Sequence, residues 1–288
     1  MNWWCEDSEE VREEEMALKL MYITNNPEVA LIAEKYGVDR IWIDLETLGK
    51  EERQKYMNTV KSNHTVDDVR RIKPLLSTSD LLVRVNPWNE NSEKEIEDVV
   101  AAGADIIMLP MWKSPIEVTR FLSAVDGRCK TTLLLENKEA VGCLDEVLEN
   151  GGMDEFHIGL NDLHLSYGMT FMFELLSNGT VEMLCEKIKK KGLPYGFGGI
   201  ARLGTGDLPA EKIIMEHYRL GSTRAILSRS FCDALKISDI NQIEKVFKDN
   251  MIALRSYEGK ICNITDYSEN QKEVVEDVAR IVEKKKEK

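Results

Sequence analysis

Histidine is scarce here: the chain has four in 288 residues. Its six cysteines, Cys5, Cys129, Cys143, Cys185, Cys232 and Cys262, include no C-x-x-C pair. The two scarcities argue against a zinc site. Scattered thiols in a chain of this length read as reduced core residues of a cytoplasmic protein, not as a disulfide framework. No apolar run approaches the ~20 residues that cross a bilayer. The opening stretch MNWWCEDSEEVREEEM has neither a basic start nor a long apolar segment, so no secretory leader is expected. Positive charge is short too, with 38 Lys and Arg against 51 Asp and Glu, a net of −13. That balance argues against nucleic acid or an anionic membrane surface as the main partner.

What is present is a rhythm. Short apolar runs recur at 18–23, 41–46, 81–86, 105–110, 131–136, 155–160, 194–199 and 224–228. Most are apolar throughout, as strands covered on both faces are. Amphipathic stretches alternate with them. NPEVALIAEKYG shows the helix grammar most fully, with Asn26 as cap, Pro27 in the first turn and Gly37 at the stop. Strand–helix alternation requires parallel pairing through right-handed crossovers. Eight repeats in this length predict a (β/α)8 TIM barrel, with an open doubly wound sheet as the alternative. The expected organisation is an acidic extension over 1–16, the barrel over 17–237, and C-terminal helices over 238–288. The last exceed what a barrel needs and are expected to seek a neighbouring subunit, making a homo-oligomer.

In such a barrel chemistry collects at the C-terminal strand ends. The runs end in Asp44 and Glu46, Arg84 and Asn86, Pro110, Glu136, Gly159 to Asp162, Gly198 and Gly199, and Ser228 with Arg229. Glu136 and Asp162 close sequential runs, so they lie on strands ~4.8 Å apart. Two carboxylates that near repel unless one takes a proton or a cation sits between them. Oxygen ligands with open positions suit Mg²⁺, with Mn²⁺ or Co²⁺ also fitting. The competing reading is a salt bridge in which Arg84 neutralises Glu136.

The ordered set IWIDLETLGKEER, LLVRVNP, GADIIMLP, LLLENKEAV and IGLNDLHLSYG resembles the HpcH/HpaI aldolase/citrate lyase family over roughly 18–235. The resemblance implies a metal-dependent barrel lyase, a class II-type aldolase. It would make or break carbon–carbon bonds beside pyruvate-like enolates, with a 2-oxo acid or an acyl-CoA-type thioester as substrate. It implies Glu136 and Asp162 as metal ligands and Arg84 at the enolate oxygen. Backbone amides of Gly159, Leu160 and Asn161 would receive the substrate carboxylate, and Asp44 and Glu46 would sit beside the metal's waters. The chain departs from the family at Thr47, where the aldolase branch has histidine and the citrate lyase branch an acid. His64 is the candidate replacement for moving the proton, with a cap or surface role as the plain alternative. His164 lies near the rim, and His157 reads as a core residue.

Two other functions compete. The GFGGIARLG and AILSRSF stretches resemble the phosphate cradle of sugar-phosphate barrels, with Gly198, Gly199, Ser228 and Arg229 as its parts. A barrel kept as a non-catalytic subunit is the third reading, favoured by Thr47.

Overall fold

The computed structural model describes residues 17–49 and 63–287. The 1–16 extension and Cys5 lie outside the described residues. The eight apolar runs form eight strands: β1 (Lys19–Ile23), β2 (Arg40–Asp44), β3 (Asp80–Arg84), β4 (Ile106–Leu109), β5 (Lys130–Leu135), β6 (Glu155–Ile158), β7 (Tyr195–Ile200) and β8 (Arg224–Leu227). They pair in parallel in sequence order, and β8 returns to β1, so the sheet closes. The fold is a (β/α)8 TIM barrel, and the open-sheet alternative is excluded.

Between the strands run α1 (Pro27–Lys35), α2 (Val66–Ile72), α3 (Ser92–Ala101), α4 (Pro115–Val125), α5 (Lys138–Asn150), α6 (Leu160–Ser166), α7 (Glu174–Ser177), α8 (Thr180–Lys190) and α9 (Ala210–Leu220). Then come α10 (Ile240–Ile261) and α11 (Ser268–Lys286). The caps follow the sequence grammar. Asn26 accepts the N–H groups of Glu28 and Val29, and Gly37 takes a φ of 85°.

The C-terminal helices correct one expectation. α10 packs on α1 and α9 and so fills the place of the eighth barrel helix. Its Ile243, Phe247, Met251 and Leu254 are buried against the barrel of the same chain. Phe247 meets Tyr22 of β1 edge-on at 4.8 Å, an arrangement that adds about 1 kcal/mol to area burial. α11 lies over α7 and α9, burying Val274, Val278 and Val282. α10 thus serves as the eighth helix, and α11 is the surplus one.

Inside the barrel, alternate residues of each strand share the inner face. They stack in layers. Near the N-terminal strand ends, Glu155 is gripped by Arg40 and Arg224 and accepts a bond from Thr132 Oγ1 at 2.7 Å. Above it lies an apolar layer of Met21, Trp42, Leu82, Ile106, Met108 and Leu134. Two residues further along β2, β3 and β5, the same face carries Asp44, Arg84 and Glu136. The apolar layer thus floors a polar mouth.

Two histidines are buried in the wall. His157 Nε2 meets the Gly198 carbonyl at 3.1 Å, and His217 stacks on Phe197 at 3.8 Å with Nδ1 against Ser222 Oγ. Burial drives both below the usual imidazole range, His157 to about 4 and His217 to about 3, the latter helped by the neighbouring His157. The unfolded chain therefore binds more protons than the native one below pH ~6.5, and native stability falls as pH drops below that value. We predict a loss of about 1.4 kcal/mol per pH unit per histidine between pH 6 and 4.5, beyond whatever carboxylates add. Urea unfolding of His217→Phe should show a slope shallower by that amount, and an unchanged slope would contradict the assignment.

Candidate functional site

The polar mouth is organised around Arg84, the last residue of β3. Register sets it opposite Asp44, the last residue of β2. The guanidinium grips Asp44 with both ends of one edge, Nε to Oδ1 and an Nη to Oδ2, each at 2.9 Å. The same Nη lies 3.2 Å from Glu46 Oε2. Beneath, the guanidinium lies 5.1 Å from the Trp42 ring centroid, a cation–π contact with the apolar layer. Burial alone would favour losing the proton, but Asp44, Glu46 and Glu136 outweigh it, so Arg84 is held well above the usual arginine value. It is a permanent charge that neither gives nor takes a proton.

Glu136 follows β5 directly and is 2 % exposed. It belongs to Arg84's electrostatic surroundings, but the paired acids of the guanidinium are Asp44 and Glu46. The salt-bridge reading of Glu136 therefore fits less well than expected from sequence. Glu136 Oε1 accepts the backbone N–H of Met111 at 3.0 Å. Its Oε2 abuts Gly159, where a β-carbon would stand 3.0 Å from that oxygen and 2.9 Å from Glu136 Cβ. A glycine is required there for the carboxylate to sit where it does. Asp162 lies in the first turn of α6, which starts one residue after that glycine. An acid there also suits the helix dipole.

The other sequence candidates are placed as follows. His64 sits ahead of α2, and its Nδ1 accepts the Asp44 N–H at 3.0 Å. That makes the neutral ring an Nε2–H tautomer. Asp44 and Glu46, expected beside the metal's waters, are tied to Arg84. Of the three amides expected to receive a carboxylate, that of Gly159 donates to Leu135 O at 2.9 Å. His164 is buried, with Nδ1 on Leu160 O at 3.2 Å. Thr47 is exposed, and its N–H and hydroxyl donate to Asn86 Oδ1.

The phosphate-cradle parts are incomplete. Turns and no helix connect β8 to α10, so no helix N-terminus follows β8. Gly198 takes a φ of 51° and packs on Leu160, where a β-carbon would stand 2.8 Å from Cδ1. Its glycine is explained by packing. Arg229 is exposed on the strand-end rim.

Among the described residues no group of three or more His, Cys, Asp or Glu could hold a metal. A soft three-ligand site is thus absent there. The oxygen pair Glu136 and Asp162 is of the kind that holds a hard dication when other oxygens complete the shell. The room left by Gly159 for the Glu136 carboxylate fits that use.

Sequence reasoning missed Met111 and Trp42. Trp42 is a β2 position with period-two alternation to Asp44, so its place below the site was derivable. Met111 acts through its backbone and leaves no side-chain signal.

Residues 19–174 match the family model described as HpcH/HpaI aldolase/citrate lyase. No curated protein matches the chain. Among solved structures, an HpcH/HpaI aldolase from Desulfitobacterium hafniense DCB-2 superposes with a TM-score of 0.56 at 14 % identity. The match covers 76 % of this chain and 89 % of that one. At that identity the likeness speaks for the fold alone. Among the described residues no helix is long and apolar enough to cross a membrane.

Removing one member of a buried ion pair strands the other charge, which costs roughly 3–5 kcal/mol. Asp44→Asn should lose about 3 kcal/mol in urea unfolding, Glu46 retaining part of the balance. A loss under about 1 kcal/mol would show that Asp44 does not organise Arg84.

Proposed function

The chain belongs to the HpcH/HpaI aldolase/citrate lyase family, and on that premise we propose that it cleaves or forms a carbon–carbon bond beside a 2-oxo acid through an enolate. The observation that carries this reading is the mouth itself: a permanently charged Arg84 ringed by acids, with the Glu136 carboxylate cradled against Gly159.

Glu136 and Asp162 would hold Mg²⁺, or Mn²⁺ or Co²⁺ in its place. When bound, such a dication supplies Lewis-acid polarisation of the 2-oxo acid. Arg84 contributes a fixed positive charge where the enolate oxygen gains negative charge, and it needs no reorganisation because Asp44 and Trp42 already hold it. The Leu160 and Asn161 amides would take the substrate carboxylate. In the cleavage direction the hydroxyl proton passes to a water molecule, the carbon–carbon bond breaks towards the enolate, an aldehyde departs, and the enolate carbon takes a proton back from water. His64, neutral with its ring proton on Nε2, serves as hydrogen-bond donor to the aldehyde oxygen. In this state its Nδ1 is occupied by the Asp44 N–H and does not act as base. A citrate lyase-like acyl thioester would pass through its own thioester enolate, met by the same residues. A small-molecule substrate in a cytoplasmic, net-acidic enzyme is the corresponding setting.

Oxalate mimics the enolate. At a hundred times its Kd a ligand stabilises by ~2.7 kcal/mol, or ~5 °C in a chain of this size. We expect oxalate to raise the Tm only with Mg²⁺ or Mn²⁺, and not in Glu136→Gln. An equal rise without metal, or none with any metal, would overturn the reading. His64→Asn keeps an acceptor for the Asp44 N–H. It should lower aldol cleavage at least ~30-fold, about 2 kcal/mol. Oxaloacetate decarboxylation reaches the same enolate with no aldehyde oxygen to bind, and it should change under threefold. Equal losses in both reactions would remove His64 from that role.

A further inference from the structure

We propose that Met111 and Gly159 are positioning residues that fix the Glu136 carboxylate from opposite sides, and that divalent-ion affinity depends on them as much as on the acids. This rests on the proposed metal site.

Met111 is one of two non-glycine residues with positive φ among the described residues, at 52°. The other, Asp126, ends α4, where a left-handed residue is ordinary. Met111 ends no helix. It follows the strand-end Pro110 and precedes Trp112, whose ring is fully buried. A backbone strained in this way persists only when its surroundings dictate it. Here they do. Trp112 is held by core burial, and its carbonyl accepts Asn137 Nδ2 at 2.9 Å. Asn137 is itself anchored, because its Oδ1 caps α5 at the Ala140 N–H. The residue after Glu136 thus ties down the residue after Met111.

The consequence is a fixed direction for the Met111 N–H, which donates to Glu136 Oε1. A backbone donor on one oxygen and the bare Cα of Gly159 against the other leave the carboxylate little freedom to turn. A ligand held in advance loses less conformational freedom when it binds, which is how supporting contacts of metal ligands raise affinity 10–100-fold. The left-handed backbone at Met111 is what delivers that donor.

Mn²⁺ alone, titrated by calorimetry into the full-length protein, tests this without turnover. Gly159→Ala puts a β-carbon into the space of Glu136 Cβ and Oε2 and should weaken Mn²⁺ binding at least tenfold. Met111→Val, whose β-branch resists positive φ, should weaken it similarly, whereas Met111→Gly, which accepts the same backbone and keeps the N–H, should stay within threefold of wild type. Asn137→Ser retains an oxygen to cap α5 but releases Trp112 O, and should weaken binding with a Tm close to wild type. It keeps the proposal testable should Met111→Val misfold. Wild-type affinity in both Gly159→Ala and Asn137→Ser would overturn the proposal while leaving the metal site intact. No Mn²⁺ binding by wild-type protein would overturn the metal site and this inference together.

Discussion

Arg84 is the residue around which the barrel mouth is built. Its guanidinium, buried at the strand ends, sits in the field of Asp44, Glu46 and Glu136. Buried carboxylates persist only when cations, protons or hydrogen-bond donors meet them. Asp44 and Glu46 pair with the guanidinium, and Glu136 accepts the Met111 N–H and occupies the space beside a glycine.

The scaffold explains how these charges survive at such density. Below them lies a full apolar layer centred on Trp42, whose ring supports the guanidinium from beneath. Below that, Arg40, Glu155, Arg224 and Thr132 form a second polar cluster joined by ion pairs and hydrogen bonds. The two clusters differ in balance. At the N-terminal end two arginines meet one glutamate and form a structural tie. At the C-terminal end the described residues set one arginine among Asp44, Glu46 and Glu136, on the face where such barrels take their ligands. The bare strand of charge at the mouth is thus a property of position along β2, β3 and β5, two residues above the apolar layer.

Much of this was legible in the sequence because it rests on period and end position. Eight apolar runs predicted eight strands within a residue or two, the overshoot falling at strand ends such as 44–46 and 84–86, where the chain stays extended past the ladder. Asp44, Arg84 and Glu136 were readable as strand-end polar residues. The partners of those residues were not. That Arg84 would choose Asp44 over Glu136 depends on register, which alternation alone does not give. The Gly159 amide was assigned to a substrate, but the ladder to Leu135 claims it. The two C-terminal helical stretches read together as more than an eighth helix requires, and which of them takes that place depends on packing that periodicity does not give. Met111 was invisible because a backbone N–H and a left-handed φ have no side-chain signature.

The proposed chemistry requires Glu136 and Asp162 to share one divalent ion. Crystals soaked in Mn²⁺ and measured at a wavelength where manganese scatters anomalously address it directly. One strong anomalous peak is expected in the barrel mouth, in direct coordination contact with a carboxylate oxygen of each residue. A peak bound by only one of the two, or no peak at saturating Mn²⁺, would contradict it.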